Sequence, residues 1–367
     1  MKAKYLIFSM DQGIGGHFIS LNVISRAIND DPEVICIGYT KPVVEYANIH
    51  FIDLNEVNTI TAIFKLKNIL ENETDLIHCF DEHSYFFGRI VSAFLNIPIV
   101  LTKCGGKKPR YYPKVKNLVV FTKEDELIYS SKGVNCTLIP NRVVKLNEPK
   151  EVIDVGSDFK VLCIARIGNK YFSKIKQSIE LLKFYSDSGI SVTLDVIGVI
   201  ESEDILDKLK ELSKGYRCTF LTTSKYTQEA SRLIVDYDLV VGTGRGVMET
   251  FSYKKLCASA NSDLKLPILI TNSTFEELFQ ANFSERAKAR ISESENEENL
   301  LSLINNADYK ISIIKDYESI FENYFNVSTA IGSYKMVYHK AVSESWFSLF
   351  DFFTNYLYLK YIKSQKL

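Results

Sequence analysis

Residues 160–198 read KVLCIARIGNKYFSKIKQSIELLKFYSDSGISVTLDVIG, and this stretch decides the fold. Lys160–Ile164 is a short apolar run of strand character, Ile175–Tyr185 has helical periodicity, and Val192–Ile197 is a second strand ending at Gly198. Strand, helix and strand in that order predict two parallel strands joined by a crossover helix. Downstream the rhythm continues with Ile205–Leu212 (helix), Cys218–Leu221 (strand), Gln228–Val235 (helix), Leu239–Val241 (strand), Val247–Ser259 (helix) and Pro267–Ile270 (strand). Upstream it is already present. Tyr5–Phe8 is strand-like, and Phe18, Leu21, Ile24 and Ile28 then recur at helical spacing. Glu33–Ile37 and Ile49–Ile52 (strands), Ile60–Leu70 (helix), Leu76–Cys79 (strand) and Ser84–Leu95 (helix) follow. Pro98–Leu101, Leu118–Phe121, a helix from Lys123, and Cys136–Ile139 complete the half. Lys145–Ser157, polar and carrying Pro149 and Gly156, reads as a linker. The expectation is an α/β protein of two doubly wound domains, 1–150 and 151–333, facing a cleft. Open sheets of this kind bind ligands beyond the carboxyl ends of their strands.

Length and composition agree. At ~100–200 residues per domain, 367 residues make two domains. A hydrophobic fraction of 46% with 24% charged residues excludes wholesale disorder. A net charge of −1 argues against coating nucleic acid through bulk electrostatics. The seven cysteines are scattered and form no C-x-x-C pair, so neither a disulfide framework nor a zinc site follows. No export signal or run of ~18 apolar residues is visible. A cytoplasmic protein is expected, with any membrane contact peripheral, on the inner face of the plasma membrane.

Three places could carry chemistry. The first is the loop Asp11-Gln12-Gly13-Ile14-Gly15-Gly16-His17 between a strand and a helix. Its glycines would let backbone approach a ligand, although a plain tight turn reads the same and the G-x-G-x-x-G spacing fails. The second is Val241-Gly242-Thr243-Gly244-Arg245-Gly246-Val247-Met248-Glu249, which follows a strand and opens a helix. Free N–H groups at Gly246, Val247, Met248 and Glu249 would favour a diphosphate. Glu249 itself reads either as a ligand-binding carboxylate or as complement to the helix dipole. The third is Arg166 at the end of a strand, followed by Lys170 and Lys174. Adjacent strand ends would bring a forked guanidinium and a lysine beside that helix start, which makes a phosphate site.

Taken in order, these segments resemble the retaining glycosyltransferases of the GT-B fold (glycosyl transferases group 1), the kind that assemble bacterial surface polysaccharides. The likeness runs through the GIGGH loop, LIHCFDEHSYFFGRIVSAFLNIPIVLTKCGG (76–106), TLIPNRV (137–143), VLCIARI (161–167) and GTGRGVMETFSYKKLCASANSDLKLPILITN (242–272). It implies two Rossmann-like domains: an acceptor domain over 1–150 and a nucleotide-sugar donor domain over 151–333. It also implies C-terminal helices over 334–367 that cross back to pack on the first domain. By resemblance, Arg166 and Lys174 or Lys170 contact the donor diphosphate, Gly244, Gly246, Val247 and Met248 offer backbone to it, and Glu249 holds the ribose. Gly15 and Gly16 lie near donor or acceptor, with His17, Asp81, His83 and Lys103 as further cleft candidates. The chain departs from the family where a second glutamate commonly contacts the donor sugar, eight residues before the ribose-binding one; Val241 stands there. It also has Cys104 where the family often has histidine.

The implied activity is transfer of a sugar from a nucleotide-diphosphate donor to a glycan or lipid-linked saccharide, with no cofactor and no metal. A sugar-nucleotide 2-epimerase and an inactive nucleotide-binding partner subunit are the alternatives. Asp236-Tyr237-Asp238 matches a metal-binding D-x-D pattern but stands before a strand, away from the expected cleft. Two further stretches point outward. Lys103, Lys107, Lys108, Arg110, Lys114 and Lys116 form an acid-free basic run suited to an anionic membrane surface. From Tyr334 onward ten aromatic residues need a hydrophobic surface to cover them.

Overall fold

The protein is described by a computed structural model over residues 1–10, 15–42, 48–104, 115–145, 158–341 and 357. The N-terminal half alternates as the sequence predicts: β1 (Ala3–Ser9), α1 (Gly16–Ile28), β2 (Glu33–Gly38), β3 (Ile49–Asp53), α2 (Thr59–Leu70), β4 (Leu76–Cys79) and α3 (Glu82–Leu95). It continues through β5 (Ile99–Lys103), β6 (Leu118–Val120), α4 (Lys123–Ser130) and β7 (Cys136–Leu138). Next come β8 (Phe159–Ile164), α5 (Phe172–Asp187), β9 (Val192–Ile197), α6 (Glu203–Leu212), β10 (Cys218–Leu221), the single turn α7 (Ser224–Thr227) and β11 (Leu239–Gly242). The remainder is α8 (Arg245–Ser252), β12 (Leu256–Ser259), β13 (Ile268–Leu269), α9 (Asn272–Gln280), α10 (Glu293–Asn305), α11 (Ala307–Ile320) and α12 (Val327–Lys340).

The chain divides into two units at Arg142/Val143 and again at Asn326/Val327. The first unit is Met1–Arg142 with the segment from Val327 onward; the second is Val143–Asn326. These limits replace the expected 150 and 333, because β7 ends the first sheet well before the polar stretch and α12 begins seven residues upstream of Tyr334. The aromatic residues beyond Ala341 lie outside the described residues.

In the first unit seven parallel strands stand in the order β3-β2-β1-β4-β5-β6-β7. Alternate side chains of β1 go to opposite faces. Leu6 and Phe8 pack with Leu66 and Leu70 of α2 and Tyr85 and Phe86 of α3. Tyr5 and Ile7 pack with Phe18 and Leu21 of α1 and with Ala330, Tyr334 and Val337 of α12. A sheet covered on both faces needs strands apolar throughout, as β4 and β5 nearly are. In the second unit the order is β10-β9-β8-β11-β12-β13, with only β13 antiparallel.

Each sheet changes direction of winding once, between β1 and β4 and between β8 and β11. One strand was missed. The expected helix Val247–Ser259 is α8 followed by β12, and Lys254, at a left-handed φ of 55°, turns the chain between them. The expected helix Gln228–Val235 is a tight helical segment over Ala230–Asp236.

Candidate functional site

The switch point of the second sheet lies between β8 and β11, whose register pairs Cys163 with Val241. Arg166 follows the end of β8, and the turn Thr243–Gly244 follows the end of β11. The two segments singled out in sequence therefore leave neighbouring strands on the same side of the sheet. A ligand crevice belongs there on topological grounds.

Around β8 the three candidate cations differ. The guanidinium of Arg166 is half exposed, pairs with Glu201 at 2.8 Å and donates to the Tyr171 hydroxyl at 2.8 Å. It also lies over the Tyr171 ring, 5.3 Å from its centre. Lys170 is exposed in the one-turn helix Asn169–Tyr171. Lys174 is buried in the first turn of α5, and its Nζ donates to the carbonyl of Ile164 at 2.7 Å. Tyr171, which precedes α5, gives that helix no side-chain cap. The carboxylate of Glu285 lies within electrostatic reach of Lys174. Burial raises the pKa of Glu285, while the charge and the N–H of Lys174 pull it back down.

Around β11 the strand buries Val241 completely, so the position where the family carries a glutamate belongs to the hydrophobic core. Gly244 takes φ 54° and ψ −124°, backbone that a residue with a Cβ adopts only with strain. Gly246 faces open space. The expectation of free amides needs correction at two positions. The N–H groups of Gly246 and Val247 donate to the carbonyls of Thr243 and Gly244, each at 3.2 Å, in the tight first turn of α8. The side chains of Val247 and Met248 point into the core. Glu249 is ion-paired within α8: the Nε of Arg245 donates to its carboxylate at 2.7 Å, four residues apart, with both side chains 19% exposed. Sequence reasoning passed over Arg245, although an Arg and a Glu at that spacing share one helix face.

The first unit's candidates scatter more in role. Gly15 precedes α1 without capping it through a side chain, and Gly16 is exposed, with open space where a Cβ would stand. His17 folds back over Gly15, where an added Cβ would fall 2.8 Å from its ring. Asp81 caps α3, accepting from the N–H of His83 and Ser84 at 2.9 and 2.7 Å and from that of Phe8 at 2.8 Å. His83 stacks on Phe8, and its Nε2 is buried with no hydrogen-bond partner among the described residues. Lys103 is a correction. It is buried, and its Nζ pairs with Asp125 at 3.0 Å, so it belongs to the interior and not to a basic surface. Lys107, Lys108, Arg110 and Lys114 lie outside the described residues. Burial pushes the Cys104 thiol far up, which suits no nucleophile.

The D-x-D carboxylates sit at the opposite end of the second sheet, where Asp238 accepts from the N–H of Lys160 near the start of β8. Among the described residues no three His, Cys, Asp or Glu side chains gather as a metal site. None of the described helices is long and apolar enough to cross a membrane.

No protein-family model and no curated protein matches this sequence at a significant level. Solved structures do. HepE of Anabaena in complex with UDP superposes with a TM-score of 0.67 at 15% identity, over 91% of this chain and 98% of its own. The chain has the GT-B fold. A glycosyltransferase from Rickettsia africae gives 0.64 at 14% identity, covering 92% of this chain and 98% of that one. A putative UDP-N-acetylglucosamine 2-epimerase from Listeria monocytogenes gives 0.53 at 12% identity, over 95% of this chain and all of its own. At such identities the likeness is one of architecture. It places two parallel-sheet Rossmann-like domains in the GT-B arrangement of elements.

Proposed function

We propose that this GT-B protein transfers a sugar from a nucleotide-diphosphate donor to a glycan or lipid-linked saccharide in the biosynthesis of a surface polysaccharide. One observation carries the reading: Arg166 and the Gly244 turn leave adjacent strands at the switch point of the second sheet. HepE, of the same fold, is seen with UDP and with UDP-glucose, which favours a nucleotide sugar as the donor here.

The chemical obstacle is departure of a nucleoside diphosphate from an oxocarbenium-like carbon. Arg166, its fork held by Glu201 and Tyr171, would meet the leaving charge, with exposed Lys170 nearby. The ammonium of Lys174 is committed to Ile164, so its contribution is a fixed positive charge beneath the site. Glu249 would orient the ribose, held in its rotamer by Arg245. A retaining course, with attack on the face from which the diphosphate leaves, belongs to this reading, as do a cytoplasmic location and peripheral contact with an anionic membrane. The cations on the chain meet the diphosphate without a metal, so EDTA should leave turnover intact; loss restored by Mg²⁺ or Mn²⁺ would refute that part.

The test is a thermal-shift screen of nucleoside diphosphates, then turnover of matching nucleotide sugars with saccharide acceptors. A ligand at ~100 times its Kd adds ~2.7 kcal/mol of stability, which is readily seen. Conversion of the nucleotide sugar with no acceptor would favour a 2-epimerase, whose fold this chain shares. Binding without turnover across donors and acceptors would favour an inactive partner subunit.

A further inference from the structure

The loss of the carboxylate at position 241 leaves a question about what would grip the sugar. Val241 is sealed in the core, so no change of rotamer brings a polar group there. The topology delivers another carboxylate to the same end of the sheet. Because β13 runs antiparallel to β12, α9 starts at the amino edge of the parallel strands and climbs back toward their carboxyl edge. Its C-terminal turn, Ala281–Glu285, therefore arrives where the N-terminal turn of a helix would ordinarily stand. Ser259, the last residue of β12, donates to the carbonyl of Phe283 at 3.4 Å and fixes the turn there.

This turn is unusual in its backbone and its anchoring. Asn282 and Phe283 both have left-handed φ, 56° and 51°. Non-glycine residues hold that conformation only where their surroundings over-determine it. The anchor is the Phe283 ring, fully buried against Phe251, Phe275, Phe279 and Phe325. With the ring fixed, the polar residues on either side are presented at the switch point. Asn282 faces the glycine turn: a Cβ on Gly244 would stand 3.5 Å from its Nδ2. Its Oδ1 and the hydroxyl of Ser284 are buried with no hydrogen-bond partner among the described residues. Glu285, two residues beyond Phe283, lies within electrostatic reach of Lys174 in the first turn of α5. So a carboxamide stands beside the turn after β11, and a carboxylate three residues on lies near the lysine whose ammonium holds the end of β8.

We propose that Glu285 and Asn282 bind the hydroxyls of the donor's sugar, and so set which sugar is accepted, in place of the carboxylate absent at position 241. The inference rests on the glycosyltransferase reading and assigns the sugar half of the same site. A carboxylate accepts from two sugar hydroxyls at once, and a carboxamide both donates and accepts, which is how polyols are told apart by the orientation of single hydroxyls. Partnership with Lys174 is a structural role for Glu285 on its own; a donor sugar would add hydrogen bonds to the same carboxylate.

Calorimetry separates the two roles. UDP, GDP and dTDP, each alone and as its hexose conjugates, are titrated into the wild-type protein, E285Q and N282A, with thermal unfolding recorded for each. The expected result is unchanged affinity for the free diphosphate in both variants, and ~10- to 100-fold weaker binding of the preferred nucleotide sugar in E285Q. The ranking of sugars should also flatten in N282A. Equal weakening of free diphosphate and conjugate would overturn the proposal, since loss of the Glu285–Lys174 partnership alone would do that. Unaltered binding of the conjugate by both variants would overturn it as well, as would a wild-type protein that binds conjugates no better than diphosphates. Those results leave the glycosyltransferase reading standing; wild-type protein that binds no nucleotide of the panel would remove both.

Discussion

At the scale of single residues, the two groups the sequence marks for the donor are each held by an ionic partner. Arg166 is held by Glu201 and Glu249 by Arg245. They should fail differently. In the proposed reaction the diphosphate gains charge as the glycosidic bond breaks, so a contact with Arg166 would strengthen in the transition state. Arg166→Ala should lower kcat by ~10²–10³-fold, the usual cost of one preorganised electrostatic contact. Ribose hydroxyls do not change during the reaction, so Glu249→Gln should raise the donor KM with kcat nearly kept. Steady-state kinetics of both variants decide this; an Arg166→Ala enzyme with normal kcat would remove Arg166 from the site. Lys103 calls for a different measurement. Lys103→Met leaves Asp125 as a buried, unpaired carboxylate, for which ~3–5 kcal/mol of stability is the typical loss. Urea unfolding reads it, and a loss under ~1 kcal/mol would mean the pair is solvated.

At the scale of elements, α12 is tied to the first sheet by a polar contact inside an apolar layer. His78 of β4 is fully buried between the Tyr338 hydroxyl at Nδ1 and the Thr102 hydroxyl at Nε2, each at 2.7 Å. Desolvation lowers its pKa to about 3, against about 6.5 when the chain unfolds. Between those values the unfolded chain binds the proton and the folded one does not, so stability falls as pH falls. The slope from this residue is ~1.4 kcal/mol per pH unit below about 6.5. Urea unfolding at pH 7.5, 6.5 and 5.5 should show it in the wild type and lose it in His78→Gln; parallel slopes would disprove it. Truncation after Ser333 removes Tyr334, Val337 and Tyr338 from this layer, and should yield insoluble or strongly destabilised protein. A stable, soluble truncation would deny α12 its packing role.

The same scale shows where sequence was legible. Nearly every strand of the first sheet could be read from runs such as Leu76–Cys79, because burial on both faces makes them apolar almost throughout. The short run Leu256–Ser259 was absorbed into a helix, since four residues fit either period and the break is a lysine, Lys254, in place of the expected glycine. The placement of the candidate residues was legible where it depends on chain order, as for Arg166 and Gly244 at the ends of neighbouring strands. It was not legible where tertiary contacts decide, as for Glu285, which reaches Lys174 across more than a hundred residues, or Lys103, whose partner Asp125 is on another element.

At the scale of the whole molecule, the polypeptide forms two units with separate cores, and the chain passes between them twice. Unfolding of such a protein is not expected to be two-state. Every group assigned to the donor here, from Arg166 and Lys174 to Glu249 and Glu285, belongs to Val143–Asn326, a single uninterrupted segment. The ends of that segment meet: Val143 donates its N–H to the carbonyl of Phe325 at 2.9 Å, and Val143 bridges to Asn326. Lys145 pairs with Glu322 beside them. A unit whose termini close on themselves and which holds its own hydrophobic clusters on both faces of its sheet should fold when expressed alone. It should then bind the nucleoside diphosphate with an affinity close to that of the full chain, because binding energy follows the contacts retained. Turnover should be absent, since the acceptor side is missing. Calorimetry on the purified 143–326 segment, with circular dichroism to confirm its fold, tests this directly. A folded segment that no longer binds the diphosphate would show that the first unit supplies an indispensable donor contact, and would move attention to Gly15, Gly16 and His83.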